Sequence, residues 1–257
     1  MLVDYHVHAM GHADYTHSVA SAREFLLTAR QRGIAEVGFA DHDYYAKDFD
    51  LQSLLAAGAL VPEVRVRLGI EIDFQLSGAG EARRPESAFT LDFVIGSVHV
   101  VDGFVFDMPT SLPGYSNWDI DELYVRYYET LAMAAESRRF DIIGHTDVIK
   151  VFGFRPRGSA LMYAERALRS IKASGVAVEI NTNGRYKPVG EFYPAKDILE
   201  RCFEMDIPIT LSSDAHAPED VGRDVAEAAQ MAYAAGYRRV ATFDNRKRIL
   251  QPLDYQY

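Results

Sequence analysis

Apolar positions recur along this chain at two alternating periods. Leu2 to His8 reads as a β-strand ending in His6-Val7-His8, which puts His6 and His8 on one face and Val7 on the other. Ser18 to Arg32 then carries Val19, Ala22, Phe25, Leu26 and Ala29 at helical spacing, and Gly33 stands where a left-handed C-terminal cap is expected. A strand follows at Glu36 to Asp41. The helix, glycine, strand order returns at Gly175 before Val176 to Asn181, and at Gly236 before Arg239 to Phe243. Further strands are expected at Val64 to Phe74, Leu91 to Val100, Asp141 to Thr146 and Pro208 to Asp214, and a helix opens with N-cap character at Asn117 to Glu122. No low-complexity segment or linker divides the chain. This βα repetition predicts one α/β domain over residues 1–257, built as a parallel barrel or a doubly wound sheet, with function at the carboxyl ends of the strands. No G-x-G-x-x-G follows the first strand, which weakens a Rossmann reading.

Composition narrows the partners. A hydrophobic content of 48% over 257 residues is ample for a core. The net charge of -10 argues against nucleic acid, because phosphate neutralisation needs a basic face. The N-terminus starts directly in a strand, without a leader pattern, and no apolar run is long enough to span a bilayer, so a soluble cytoplasmic protein with no membrane association is expected. The single cysteine, Cys202, reads as core filler on the apolar side of a helix.

The histidines change the picture. Six of the eight, His6, His8, His42, His99, His145 and His216, lie at or just beyond the carboxyl end of a predicted strand. Glu71 and Asp73 join them in LGIEIDF, and Asp214 precedes His216 by two residues on an extended segment. Imidazoles and carboxylates together suit zinc, manganese or iron, and the groups are too many for one ion of four to six ligands. The sequence therefore predicts a polynuclear metal site.

These motifs, H-x-H at His6 and His8, D-H at Asp41 and His42, G-x-E at Glu71, S-V-H at His99, G-H-x-D at His145 and Asp147, and S-D-A-H ending at His216, resemble those of the PHP (polymerase and histidinol phosphatase) superfamily, in the right order over nearly the whole chain. Glu179 to Pro194 and Ile209 to Gly222 are most similar to the stand-alone histidinol-phosphate phosphatases. The resemblance implies a distorted (β/α)7 TIM-like barrel with three divalent metal ions at its mouth. It assigns His6, His8, Glu71 and Asp214 to one ion, with Glu71 bridging to a second held by His99 and His145. The third takes His42, His216 and a residue of the loop after the first strand. Asp14 occupies the family's position for that ligand, with His12 and His17 as competitors, since the usual C-G-H segment is altered here.

The implied reaction is hydrolysis of a small phosphate ester, L-histidinol phosphate, by a metal-activated hydroxide without a phosphoenzyme. Glu71, Asp214, His216 and Arg185 are the residues expected to act in it. Fixed cations for the phosphate are expected from Lys150, Arg185 or a displaced Arg157, because Val151 stands where some family members carry arginine. The long aromatic loop Val101 to Trp118 is expected to cover the site. Its Phe104, Phe106, Tyr115 and Trp118 are candidates to pack on an imidazole or simply to bury the loop, and Asp102 or Asp107 to meet a substrate ammonium. Another phosphate ester or a nucleotide, and a non-catalytic metal-binding module, are the competing readings; no oligomeric state follows from the sequence.

Overall fold

The computed structural model describes residues 1–75 and 85–254. Two parallel sheets carry the fold. In the first, β1 (Leu2–Val7), β2 (Ile34–Phe39) and β3 (Arg65–Leu68) lie side by side in that order. The second begins with β4 (Glu71–Asp73) and β5 (Ile95–Ser97). A small antiparallel hairpin, β6 (Val100–Val101) and β7 (Phe104–Val105), intervenes before β8 (Ile142–Ile143), β9 (Ala177–Asn181) and β10 (Ile209–Ser212), and the sheet order is β10-β9-β8-β5-β4. Backbone hydrogen bonds join the two sheets. The Glu71 amide donates to the Asp41 carbonyl just past β2 (3.0 Å), and the His8 amide donates to the Ala215 carbonyl just past β10 (2.8 Å).

Helices connect most of these strands: α1 (Val19–Gln31), α2 (Leu51–Leu60), α3 (Ile120–Glu136), α4 (Ala160–Ser174), α5 (Lys196–Glu204) and α6 (Val225–Ala235). The periodic residues of α1 are the buried ones, Ala22, Phe25, Leu26 and Ala29, and the Ser18 hydroxyl accepts from the Ser21 amide at its N-terminus. α3 opens two residues beyond the expected start of its cap, with Asp119 accepting from the amides of Asp121 and Glu122. Gly175 ends α4 at a φ of 76°, the left-handed cap that its position in the pattern predicts. Among the described residues no helix is long and apolar enough to cross a membrane.

Two elements differ from the pattern. The expected strand from Val64 to Phe74 is divided into β3 and β4 at Gly69 and Ile70, where the fully buried Phe93 ring lies so close that a Cβ on Gly69 would come within 2.3 Å of it. Phe93 also meets Tyr5 edge to face, with ring centroids 5.0 Å apart. Removing a ring so enclosed costs about 3–5 kcal/mol. The Arg239 to Phe243 segment is a strand, β11 (Arg239–Asp244), yet it pairs antiparallel with β12 (Lys247–Pro252) instead of continuing the βα repeat. Its two-residue turn, Asn245 and Arg246, has φ of 48° and 64°, the geometry of a tight hairpin of primed type. Hydrogen bonds join this hairpin to Met1, Asp92 and Arg139, which precede β1, β5 and β8: the Met1 ammonium donates to the Pro252 carbonyl, and Asn245 and Arg246 donate to Asp92 and to the Arg139 carbonyl. The hairpin thus sits at the amino ends of the parallel strands and leaves the carboxyl ends to the histidines.

Candidate metal centre

Strand ends bring the predicted groups together. Alternation along β1 turns His6 and His8 to one side, both fully buried, and Glu71 enters from the first position of β4. His42, His99 and His145 follow β2, β5 and β8, and Asp214 and His216 follow β10. A cavity of about 740 Å³ opens above them, lined by His42, Glu71, His99, His145, Asp214 and His216 together with loop residues.

Glu71 divides the cluster. Its Oε2 faces His6 Nε2 at 3.4 Å, His8 Nε2 at 3.6 Å and His42 Nδ1 at 2.8 Å. Its Oε1 faces His145 Nε2 at 3.3 Å and His99 Nε2 at 3.7 Å, and those two nitrogens lie 3.2 Å from each other. Asp214 Oδ1 approaches His8 Nε2 to 3.2 Å and His6 Nε2 to 3.8 Å, while its Oδ2 accepts from the amide groups of Asn181 and Asn183, 3.2 Å each. Asp214 holds a φ of 52°, a left-handed conformation that aspartate tolerates. His6 Nε2, both nitrogens of His8, both oxygens of Glu71 and His216 Nε2 are buried without a hydrogen-bond partner. Buried polar atoms left this way are costly, and their mutual spacing fits a shared cation: bonds of about 2.0–2.2 Å to a tetrahedral ion set its ligand atoms about 3.3–3.6 Å apart. In each of the groups His6–His8–Glu71, Glu71–His99–His145 and His8–His42–His216 one ligand atom per residue lies within 4.8 Å of the others. The donor set therefore fits divalent metal.

The electrostatics agree. Burial alone would raise the carboxyl pKa of Glu71, but His42 and His6 beside it hold it well below the ordinary range; Asp214, under the same burial, is held down by His6 and His8. Burial opposes a charge on His6, yet Glu179, Glu71 and Asp214 outweigh it and draw its pKa well above that of a free imidazole. His8, buried and ringed by His216 and His42, is pushed the other way. A compact group of negative oxygens and imidazoles that repel one another is what a multivalent cation relieves.

Glu179 is the functional residue that the sequence reading missed. It lies fully buried in β9, accepts from His6 Nδ1 at 2.9 Å and from the His145 amide at 2.6 Å, and so orients two ligands from behind. Its signal was present, an acid inside the apolar run Ala177-Val-Glu-Ile. Asp73 stands likewise behind His99, accepting from its amide at 3.1 Å.

The loop after β1 sorts its three candidates. His17 is held in the framework, with Nε2 donating to Asp41 at 2.8 Å and Nδ1 accepting from the Asp50 amide at 3.0 Å, so neither nitrogen is free. Asp41 also accepts from the Met10 amide, which pins the loop. Asp14 is exposed and does not line the cavity, whereas the His12 ring lines it and stacks on His216 with centroids 4.1 Å apart.

None of the three expected phosphate cations lines the cavity. Lys150 is buried and committed to Asp147 (2.8 Å), Glu191 (3.2 Å) and the Phe192 carbonyl (2.8 Å). Arg157 is largely exposed and clamps Asp119 and Asp121 at the start of α3. Arg185 lies over the Phe192 ring and pairs with Glu227 through both terminal nitrogens, 2.5 Å each. The neighbouring Lys187 is the one lysine or arginine among the described residues of the cavity wall. The aromatic loop buries itself: Tyr115 packs on Phe154 (4.3 Å), Phe106 on Tyr127 and Phe104 on Tyr115, and the tyrosine that stacks on an imidazole is Tyr44, on His42 at 4.8 Å. Of the two loop acids, Asp107 lines the cavity with Oδ1 buried and unpartnered, while Asp102 faces Arg126 on the outside.

Residues 4–183 match the PHP domain family. The chain belongs to that family. A probable histidinol-phosphatase of Deinococcus radiodurans is 36% identical over 267 residues, covering 98% of this chain and 99% of the relative. A histidinol-phosphatase of Lactococcus lactis is 25% identical and covers 95% of each chain. Among solved PHP relatives, the histidinol phosphate phosphatase of Lactococcus lactis, complexed with zinc, L-histidinol and phosphate, superposes with a TM-score of 0.79 at 22% identity over 96% of this chain and 98% of the other. That likeness establishes the shared PHP α/β fold.

Proposed function

We propose that this chain is a phosphomonoesterase that hydrolyses L-histidinol phosphate to L-histidinol and phosphate with three divalent metal ions, of zinc, manganese or iron, at the mouth of one distorted seven-stranded barrel. The observation that carries the reading is the division of Glu71, whose two oxygens face two different sets of imidazole nitrogens, His6 Nε2 and His8 Nε2 on one side and His99 Nε2 and His145 Nε2 on the other. The name of the Deinococcus relative supplies the substrate. Metal ions held there lower the pKa of water from 15.7 to about 7 and neutralise phosphoryl oxygens. His6, His8, Glu71 and Asp214 hold the first, Glu71, His99 and His145 the second. For the third, His42 and His216 are joined by His12, whose ring already stacks on that of His216 with centroids 4.1 Å apart, in preference to Asp14.

The protein's own groups then bind and orient the ester. Lys187 supplies positive charge to the phosphate in place of Lys150, Arg157 and Arg185. Asp107, on the covering loop, receives the ammonium of the amino alcohol, and Val105, Met108 and Pro109 form the apolar wall beside it. Val151 lines the same cavity without a charge, and this favours, as a second reading, a different small phosphate ester. The experiment that decides is kcat/KM for phosphate release by the metal-reconstituted chain from L-histidinol phosphate, set against generic phosphomonoesters and a phosphodiester. A preference of several orders of magnitude for histidinol phosphate is expected; weak, indiscriminate hydrolysis overturns the substrate and leaves the second reading.

A further inference from the structure

We infer that the hydroxyl of Tyr193 is a fixed hydrogen-bond donor to the phosphoryl group of the substrate, an inference that rests on the phosphomonoesterase reading above. Tyr193 is 2% exposed, lines the cavity beside the metal ligands, and its hydroxyl has no hydrogen-bond partner. A phenylalanine would pack as well, so a buried hydroxyl left unpartnered in a cavity wall points to a ligand.

The residue is rigidly placed. Its amide donates to the Asn181 carbonyl at 2.9 Å and its carbonyl accepts from the Asn181 amide at 2.7 Å, which fastens it to the end of β9. The ring presses on Gly184, where an added Cβ would come within 2.7 Å of it, and lies edge-on to His145 with centroids 6.3 Å apart. The Lys150 ammonium sits over the ring, 5.3 Å from its centroid. A cation over the ring draws electron density from the phenol and makes it a better donor. The same segment, residues 183–193, contributes Asn183 and Lys187 to the cavity wall, so Tyr193 belongs to the side built to receive an anion.

The test is Tyr193→Phe in the metal-loaded full chain, with Tyr124→Phe as the control, since the Tyr124 hydroxyl donates to the Phe154 carbonyl away from the site. Metal content should be unchanged. Affinity for inorganic phosphate, measured by calorimetry, should fall about tenfold, and kcat/KM about a hundredfold, the scale of one lost donor to a developing anion. Unchanged phosphate affinity and kcat/KM overturn the inference, as does loss of metal, which would make the ring a prop for His145. A wild-type chain that binds phosphate but fails to turn over histidinol phosphate rejects that substrate and leaves the phosphate comparison decisive. A wild-type chain that binds no phosphate overturns both readings.

Discussion

His6 donates from Nδ1 to Glu179 at 2.9 Å, and this single contact aims its Nε2 at Glu71, 3.4 Å away. A carboxylate behind an imidazole fixes its tautomer and raises its basicity as a ligand. Glu179 further accepts from the His145 amide, so one buried acid sets ligands on both sides of Glu71. Glu179→Gln keeps the shape and gives up the charge. It should weaken metal binding by about 10–100-fold while leaving the fold cooperative, as read by metal titration of the chelator-treated protein and by thermal denaturation. An affinity equal to wild type would remove Glu179 from the site.

Glu71 makes a stronger claim. Because its two oxygens face different nitrogen sets, Glu71→Gln should cost the purified protein at least two equivalents of metal together, not one, and reduce turnover about a thousandfold, the scale of losing several kcal/mol of charge stabilisation. Elemental analysis of the purified variant is the check. Loss of one equivalent alone would mean that the two oxygens serve a single ion.

Much of this centre is legible in the chain because its ligands sit at strand ends, and a strand end is a local feature. Six histidines at the carboxyl ends of predicted strands converge in space, as the βα grammar requires. What the chain does not display is direction. Lys150, Arg157 and Arg185 lie in loops that leave the same face, but Asp147, Asp121 and Glu227 capture them, and those partners are set by tertiary packing. Glu179 escapes for the opposite reason: it does not line the cavity, and its role exists only through His6 and His145, 173 and 34 residues away. β11 reads as another βα strand until the left-handed pair Asn245 and Arg246 turns it back on itself.

The loop after β1 offers a direct comparison. His12 and Asp14 are both solvent-exposed, but His12 stacks on His216 and lines the cavity, whereas Asp14 does not line it. His12→Ala should lower the metal content by about one equivalent and Asp14→Asn should not. His17→Ala should unfasten Asp41 and the Met10 amide, and so reduce occupancy without removing a ligand. The opposite order for His12 and Asp14 would return the third ligand to the aspartate.

Proton competition should govern metal uptake, and His99 sets its range. Burial opposes the charged ring, but Asp73 and Glu71 outweigh it and raise its pKa from 6.5 to about 10 in the metal-free protein. A raised folded-state pKa stabilises the metal-free fold fully below the unfolded value near 6.5, and that contribution is lost as pH climbs toward about 10. The metal-free protein should therefore become less stable across this interval, and His99→Gln should flatten that slope. Metal affinity runs the opposite way. An ion must displace the His99 proton, and that of His6, whose pKa is likewise drawn up, so the apparent affinity should rise by at least about tenfold per pH unit between about 7 and 9. Calorimetry in two buffers of different ionisation enthalpy counts the protons released, and the His99→Gln variant should release one fewer. An affinity that stays level from pH 7 to 9, with equal proton counts in both proteins, would show that His99 meets the metal already neutral.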